Sequence, residues 1–295
     1  MNANTDATGQ LLQRIRLLEL MARRNAAGLL VGDYLTSIRG QGLLFEETRK
    51  YVPGDPVRDI EWNVTARLGE PFVKVRLEER QREVMIALDV SPSMHVGFQE
   101  KTKLEYAVEL AATLAVSVIE AGDRLGWVIF ADEVLDERQP LAGRRQLFAA
   151  LRAFLKHTGP WDRAVRESDP RAAVHAIQRQ RRGRFVVFMI SDFIDHDIPE
   201  DLKYVQARHD VSLLHVFDPV EYADAAEISF EGFSPEGSQQ REWVLPGETG
   251  SLAAMRQFLR DRCGPYRIAC ESLSTALPVN GALESFFHLK RRHLV

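Results

Sequence analysis

The chain has few cysteines: of 295 residues only Cys263 and Cys270. No C-x-x-C pair is present, so a thiolate zinc site has no framework. Their spacing alone permits a disulfide, and a pair of reduced thiols is the expectation. No run approaches the roughly 18 apolar residues that span a bilayer. The N-terminal MNANTDATGQ lacks the apolar core of a signal peptide. A cytoplasmic protein without a membrane span is therefore expected. The usual catalytic loops are missing as well: there is no G-x-S-x-G elbow, no G-x-x-x-x-G-K-[ST] loop, no H-E-x-x-H helix and no G-x-G-x-x-G. Gly40-Gln41-Gly42 has neither a third glycine nor a helix after it.

What is present is ordinary for a folded chain. Hydrophobic residues make up 45% and charged residues 27%, which excludes a disordered or collagen-like polymer. The net charge of −4 argues against a nucleic-acid coat, yet it conceals a separation. From Arg138 to Arg184 there are 12 Lys or Arg against three acids, a net of +9; from Phe185 to Glu248 there are 14 Asp or Glu against three bases, a net of −11. Two solvated helix faces, pairing with each other, account for this; so does electrostatic steering of an acidic partner. The only aromatics in the basic stretch are Phe148, Phe154 and Trp161, too few for a stacking platform on single-stranded nucleic acid.

Three regions are predicted. Residues 1–30 hold a loose tail (1–9) and a helix with apolar residues at Leu11, Leu12, Ile15, Leu18 and Met21, closing near Gly28. Residues 31–82 are rich in Gly and Pro with interleaved charges, and read as a small β-rich subdomain of short strands and turns held by ion pairs. From residue 83 apolar runs alternate with helical spacing. Strands are predicted at 84–88, 125–130, 185–190, 211–217 and 266–273. Helices are predicted at 103–119, 145–155, 170–180, 199–208, 251–262 and 281–290. The alternation predicts an α/β domain over 83–295 with a mostly parallel sheet, flanked by helices and interrupted by an acidic insertion at 219–248.

Ligands of such sheets bind at the carboxyl ends of the strands. The first strand ends in Asp89-Val90-Ser91-Pro92-Ser93, another in Ser191-Asp192-Phe193, and the loop before the helix at 170 carries Glu167-Ser168-Asp169. This oxygen-only set suits a hard divalent cation such as Mg²⁺. Ser and Asp after a strand also commonly cap the following helix, so both readings stand. Asp192, Asp195, His196 and Asp197 form a second local cluster, which a solvated loop explains more simply; His209 and His215 read as structural. An aspartyl phosphotransferase would need a second Asp two residues after the first, where Ser91 stands.

Asp89-Val90-Ser91-Pro92-Ser93 resembles the D-x-S-x-S of von Willebrand factor A-type domains, which there forms the metal-ion-dependent adhesion site (MIDAS). The upstream stretch is similar to the signature of the bacterial domain-of-unknown-function-58 family. It comprises Arg39-Gly40-Gln41-Gly42, Phe45-Glu46, Arg49 to Asp55, Arg58 to Trp62 and Ala66-Arg67. Ser191-Asp192-Phe193, Val216 to Pro219, and Leu283 to Phe287 followed by Lys290-Arg291-Arg292 extend the likeness. The resemblance implies a von Willebrand factor A-like fold. It assigns Asp89, Ser91 and Ser93 as first-loop metal ligands and Asp192 as the third-loop aspartate. Ser168, with Asp169 as the fallback, stands where the family site usually has Thr. The implied cofactor is Mg²⁺, with Mn²⁺ or Ca²⁺ as substitutes. The implied partner is a MoxR-type AAA+ ATPase or its client, with the chain as a non-catalytic, chaperone-like adaptor. A metal-dependent phosphoester hydrolase using the same Asp/Ser cluster is the alternative.

Overall fold

A computed structural model of the chain describes residues 3–28, 47–75, 81–158, 168–180, 183–194, 198–222 and 251–293. The chain forms two compact units, Arg39–Gln81 and the remainder.

The smaller unit pairs β1 (Glu47–Lys50) with β2 (Phe72–Val75) in antiparallel register, Lys50 opposite Phe72. Between them lie a 3₁₀ turn (Val57–Asp59) and α2 (Trp62–Leu68), which closes on Gly69 at φ 74°, a left-handed cap suited to glycine. The expectation of strands and turns missed α2, a helix of only two turns with no buried side chain. Ion pairing does hold the turn. The Arg49 guanidinium meets Asp55 with two bonds of 2.7 and 2.6 Å, and Asp55 also accepts the Val52 N–H. The hydrogen bond from Arg49 holds the Asp55 carboxyl below its usual range.

The larger unit is of the expected α/β class and takes in residues 1–38 as well as 82–295. Its elements are α1 (Ala3–Gly28), β3 (Glu83–Asp89), α3 (Lys103–Glu120), β4 (Arg124–Phe130), β5 (Val134–Leu141), α4 (Arg144–Lys156), α5 (Pro170–Arg179), β6 (Phe185–Ser191), α6 (Leu202–Arg208), β7 (Asp210–Phe217), α7 (Leu252–Cys263), β8 (Ala269–Ser274) and α8 (Val279–His293). The six-stranded sheet has the order β5-β4-β3-β6-β7-β8, parallel except for β5, which runs antiparallel to β4. This is a doubly wound arrangement.

Alternation along β3 divides the core. Val84, Ile86 and Leu88 join α1, α3, α4 and α8 on one face, whereas Met85 and Ala87 join α5, α6 and α7 on the other. That is why β3 reads as an unbroken apolar run. α1 begins at Ala3, so part of the predicted tail is helical; the apolar spacing starts only at Leu11 and gave no sign of the earlier turns. The antiparallel β5 was not predicted. Its Asp136, Glu137 and Arg138 suit a sheet edge, where charge blunts further pairing. Both cysteines are free thiols. The basic and acidic stretches find several partners elsewhere: Arg144 pairs with Glu19 and Arg179 with Glu137, while Asp210 pairs with Lys290. Among the described residues, no helix is long and apolar enough to cross a membrane. Asp195, His196, Asp197, Glu167, Trp161 and most of the 219–248 insertion lie outside the described residues.

Candidate functional site

β3 and β6 are neighbours at the centre of the sheet, with Leu88 opposite Ile190. The chain leaves β3 in one direction, through α3 to β4, and fills the other side of the sheet from β6 onward. Their carboxyl ends therefore form the switch point where doubly wound sheets place ligands. Asp89 is the last residue of β3 and Ser191 the last of β6, so one register brings them together.

Asp89 is wholly buried. Its Oδ1 accepts the Ser91 N–H at 2.8 Å, and its Oδ2 accepts hydroxyl bonds from Ser191 at 2.6 Å and Ser168 at 2.9 Å. Ser91 Oγ lies 3.2 Å from Ser93 Oγ, both buried in the turn that Pro92 opens. Four hydroxyls from three segments thus gather at one carboxylate. Among the described residues, every hydrogen-bond donor to Asp89 is neutral. Burial pushes its carboxyl up to about 6, the nearby Asp192 charge adds to the rise, and the Ser191 and Ser91 bonds oppose it.

The loop alternatives separate. Ser168 faces Asp89, whereas the Asp169 side chain caps α5 by accepting the Arg171 N–H at 3.0 Å. Asp192 is turned by Phe193, which adopts φ 46°, a strained region for a bulky side chain, and whose N–H bonds back to Ser191 Oγ at 3.1 Å. The Asp192 carboxylate is engaged by Lys103, at the start of α3, whose Nζ lies 2.8 Å from Oδ2. The same ammonium bonds Glu221, in the turn after β7.

Neither Lys103 nor Glu221 stands out in the sequence, and Ser191 reads there only as the end of a strand. Lys103 sits next to Leu104 at the head of an apolar helix and reads as an ordinary boundary residue. The signal was a lysine placed where carboxylates converge. His209 and His215 are structural as expected. His209 is stacked on Phe185 at 4.9 Å and accepts the Phe185 N–H; His215 meets Ser272 and stacks on Phe217.

The arrangement suits ligation better than nucleophilic catalysis. Among the described residues, no hydrogen bond joins Ser91, Ser93, Ser168 or Ser191 to a histidine that could act as base. Nor does any group of three or more His, Cys, Asp or Glu side chains among those residues form a metal cluster. A cation here would depend on serine hydroxyls. That donor chemistry fits a hard divalent ion: the set is oxygen-only, and among the described residues no cation bonds Asp89, although Lys103 engages Asp192.

Fold and site together define a doubly wound α/β protein with a buried Asp/Ser cluster at its switch point. The chain belongs to the DUF58 family, described as a protein of unknown function, whose model matches residues 47–227. It is 32% identical over 222 residues to an uncharacterised protein of Mycobacterium tuberculosis strain H37Rv, covering 74% of this chain and 69% of that protein. Among solved structures, it overlaps an aerotolerance-related membrane protein from Bacteroides fragilis at 18% identity and TM-score 0.48, covering 72% of this chain and 98% of that one. It also overlaps a von Willebrand factor type A protein from Catenulispora acidiphila at 11% identity and TM-score 0.43, covering 76% and 44% of the respective chains.

Proposed function

We propose that the protein is a non-catalytic, metal-dependent protein-binding module of the cytoplasm. In this reading Asp89, Ser91, Ser93 and Ser168 hold Mg²⁺, or Mn²⁺ or Ca²⁺ in its place, with Asp192 as the further carboxylate of a MIDAS-like site. The observation that carries the reading is the buried Asp89 carboxylate, bonded by hydroxyls and, among the described residues, by no cation of the protein's own. When bound, the ion supplies a Lewis-acidic centre able to take up an outside carboxylate. The chain's own groups do the rest. Asp89 supplies charge, the neutral serines add donors without cancelling more of it, and β3 and β6 hold the set rigid. The partner is a MoxR-type AAA+ ATPase or that machine's client, met through an acidic side chain that the basic 138–184 stretch helps to attract.

The test is co-purification of a MoxR-type ATPase from the same cell with the full chain, in Mg²⁺ and in chelator, repeated with Asp89→Ala. Capture that needs both the cation and Asp89 supports the reading. Capture indifferent to both contradicts the metal dependence. Turnover of generic phosphate esters that disappears in Asp192→Ala would replace the adaptor with a hydrolase.

A further inference from the structure

The buried lysine is the least expected group at this site. Lys103 has no exposed side-chain surface, although lysine is among the residues least often buried. It stays there because two carboxylates hold it: Asp192 from the end of β6 and Glu221 from the turn Pro219–Tyr222. Lys103 is therefore an internal cation paired with two carboxylates. It is rooted at the first residue of α3, which a capping box fixes: Thr102 Oγ1 accepts the Glu105 N–H at 3.1 Å and Glu105 accepts the Thr102 N–H at 3.0 Å.

We propose that Lys103 competes with a divalent cation for Asp192, holding down the affinity of the bare site and linking it to the turn at 219–222 through Glu221. This rests on the metal-dependent reading above. A positive charge beside Asp192 repels an incoming cation and occupies the carboxylate it would use. The bare site then fills weakly, and a partner's carboxylate makes up the donor that Asp192 withholds. Cation and partner bind with positive coupling, each tightening the other by the same factor. Glu221 moderates the competition, because it shares the ammonium with Asp192.

Equilibrium Mn²⁺ binding to the full chain, without partner, tests the proposal through two substitutions of opposite sign. Lys103→Met frees Asp192 and is expected to bind Mn²⁺ roughly tenfold tighter or more than wild type, and Mn²⁺ should raise its melting temperature more than it raises that of wild type. Glu221→Gln leaves the ammonium to Asp192 alone and is expected to bind Mn²⁺ more weakly. Equal or weaker binding by a folded Lys103→Met variant overturns the proposal. So does equal or tighter binding by Glu221→Gln, which decides the matter if Lys103→Met does not fold. If wild type binds no more Mn²⁺ than Asp89→Ala does, the metal-dependent reading itself fails and the proposal falls with it. That result is distinct from binding that is present but indifferent to Lys103.

Discussion

Ser168 Oγ donates to Asp89 Oδ2 over 2.9 Å, joining positions 79 residues apart. The neighbouring Asp169 is spent on the first turn of α5. The two residues therefore have separable jobs. Ser168→Ala should weaken divalent-ion binding with little effect on melting temperature. Asp169→Ala should lower stability by about 1 kcal/mol, the usual cost of a lost N-cap, and leave ion binding near wild type. Paired thermal melts and Mn²⁺ titrations distinguish them; a reversed pattern would assign the second-loop ligand to Asp169.

His209 makes the fold sensitive to acid. Its ring is buried against Phe185 and accepts a backbone N–H, which only the neutral imidazole can do. Burial, then the charges of Arg208 and Arg184, push its pKa down to about 4. The unfolded chain, titrating near 6.5, takes up this proton first as pH falls. The stabilisation is therefore complete above roughly pH 6.5 and is lost progressively toward pH 4. Urea unfolding across that window should show stability falling with acid in wild type. The slope should be shallower in His209→Gln, whose side chain does not titrate; identical slopes would remove His209 as the cause.

Gly126 marks where β4 and β5 approach too closely for a side chain. A Cβ there would lie 2.7 Å from the Arg138 carbonyl oxygen and 2.8 Å from Pro140 N, both backbone atoms. The β4–β5 register also shifts between Leu125 and Trp127. Gly126→Ala should thus cost about 1–3 kcal/mol by overpacking, read as a lower urea midpoint. An unchanged midpoint would mean that the β5 edge can move aside at no cost.

The parts of this molecule that were legible in its sequence are those with a strong period. Val84 to Leu88 could only be a strand buried on both faces, and the spacing from Leu104 to Val118 could only be a helix. Once strands and helices alternated, the carboxyl ends of β3 and β6 were the place to look, and Asp89, Ser91, Ser93, Ser168 and Asp192 do gather there. What escaped has a common cause. β5 is a charged edge strand with no apolar alternation to announce it, the first residues of α1 carry no apolar spacing in the sequence, and α2 has no buried side chain to leave a pattern. Lys103 and Glu221 escaped because 118 residues separate them. Only the tertiary fold shows that a lysine beginning one helix reaches a carboxylate after a distant strand.

Mn²⁺ binding to the full chain, wild type against Asp89→Asn, decides the proposal that Asp89 anchors a divalent cation. One saturable equivalent is expected in wild type and none in the variant. The variant is also expected to be at least as stable as wild type in chelator at neutral pH. Burial raises the Asp89 pKa to about 6, so ionising this carboxyl costs the folded state more than the unfolded one. Saturable binding that survives Asp89→Asn, or its absence from wild type, would contradict the claim.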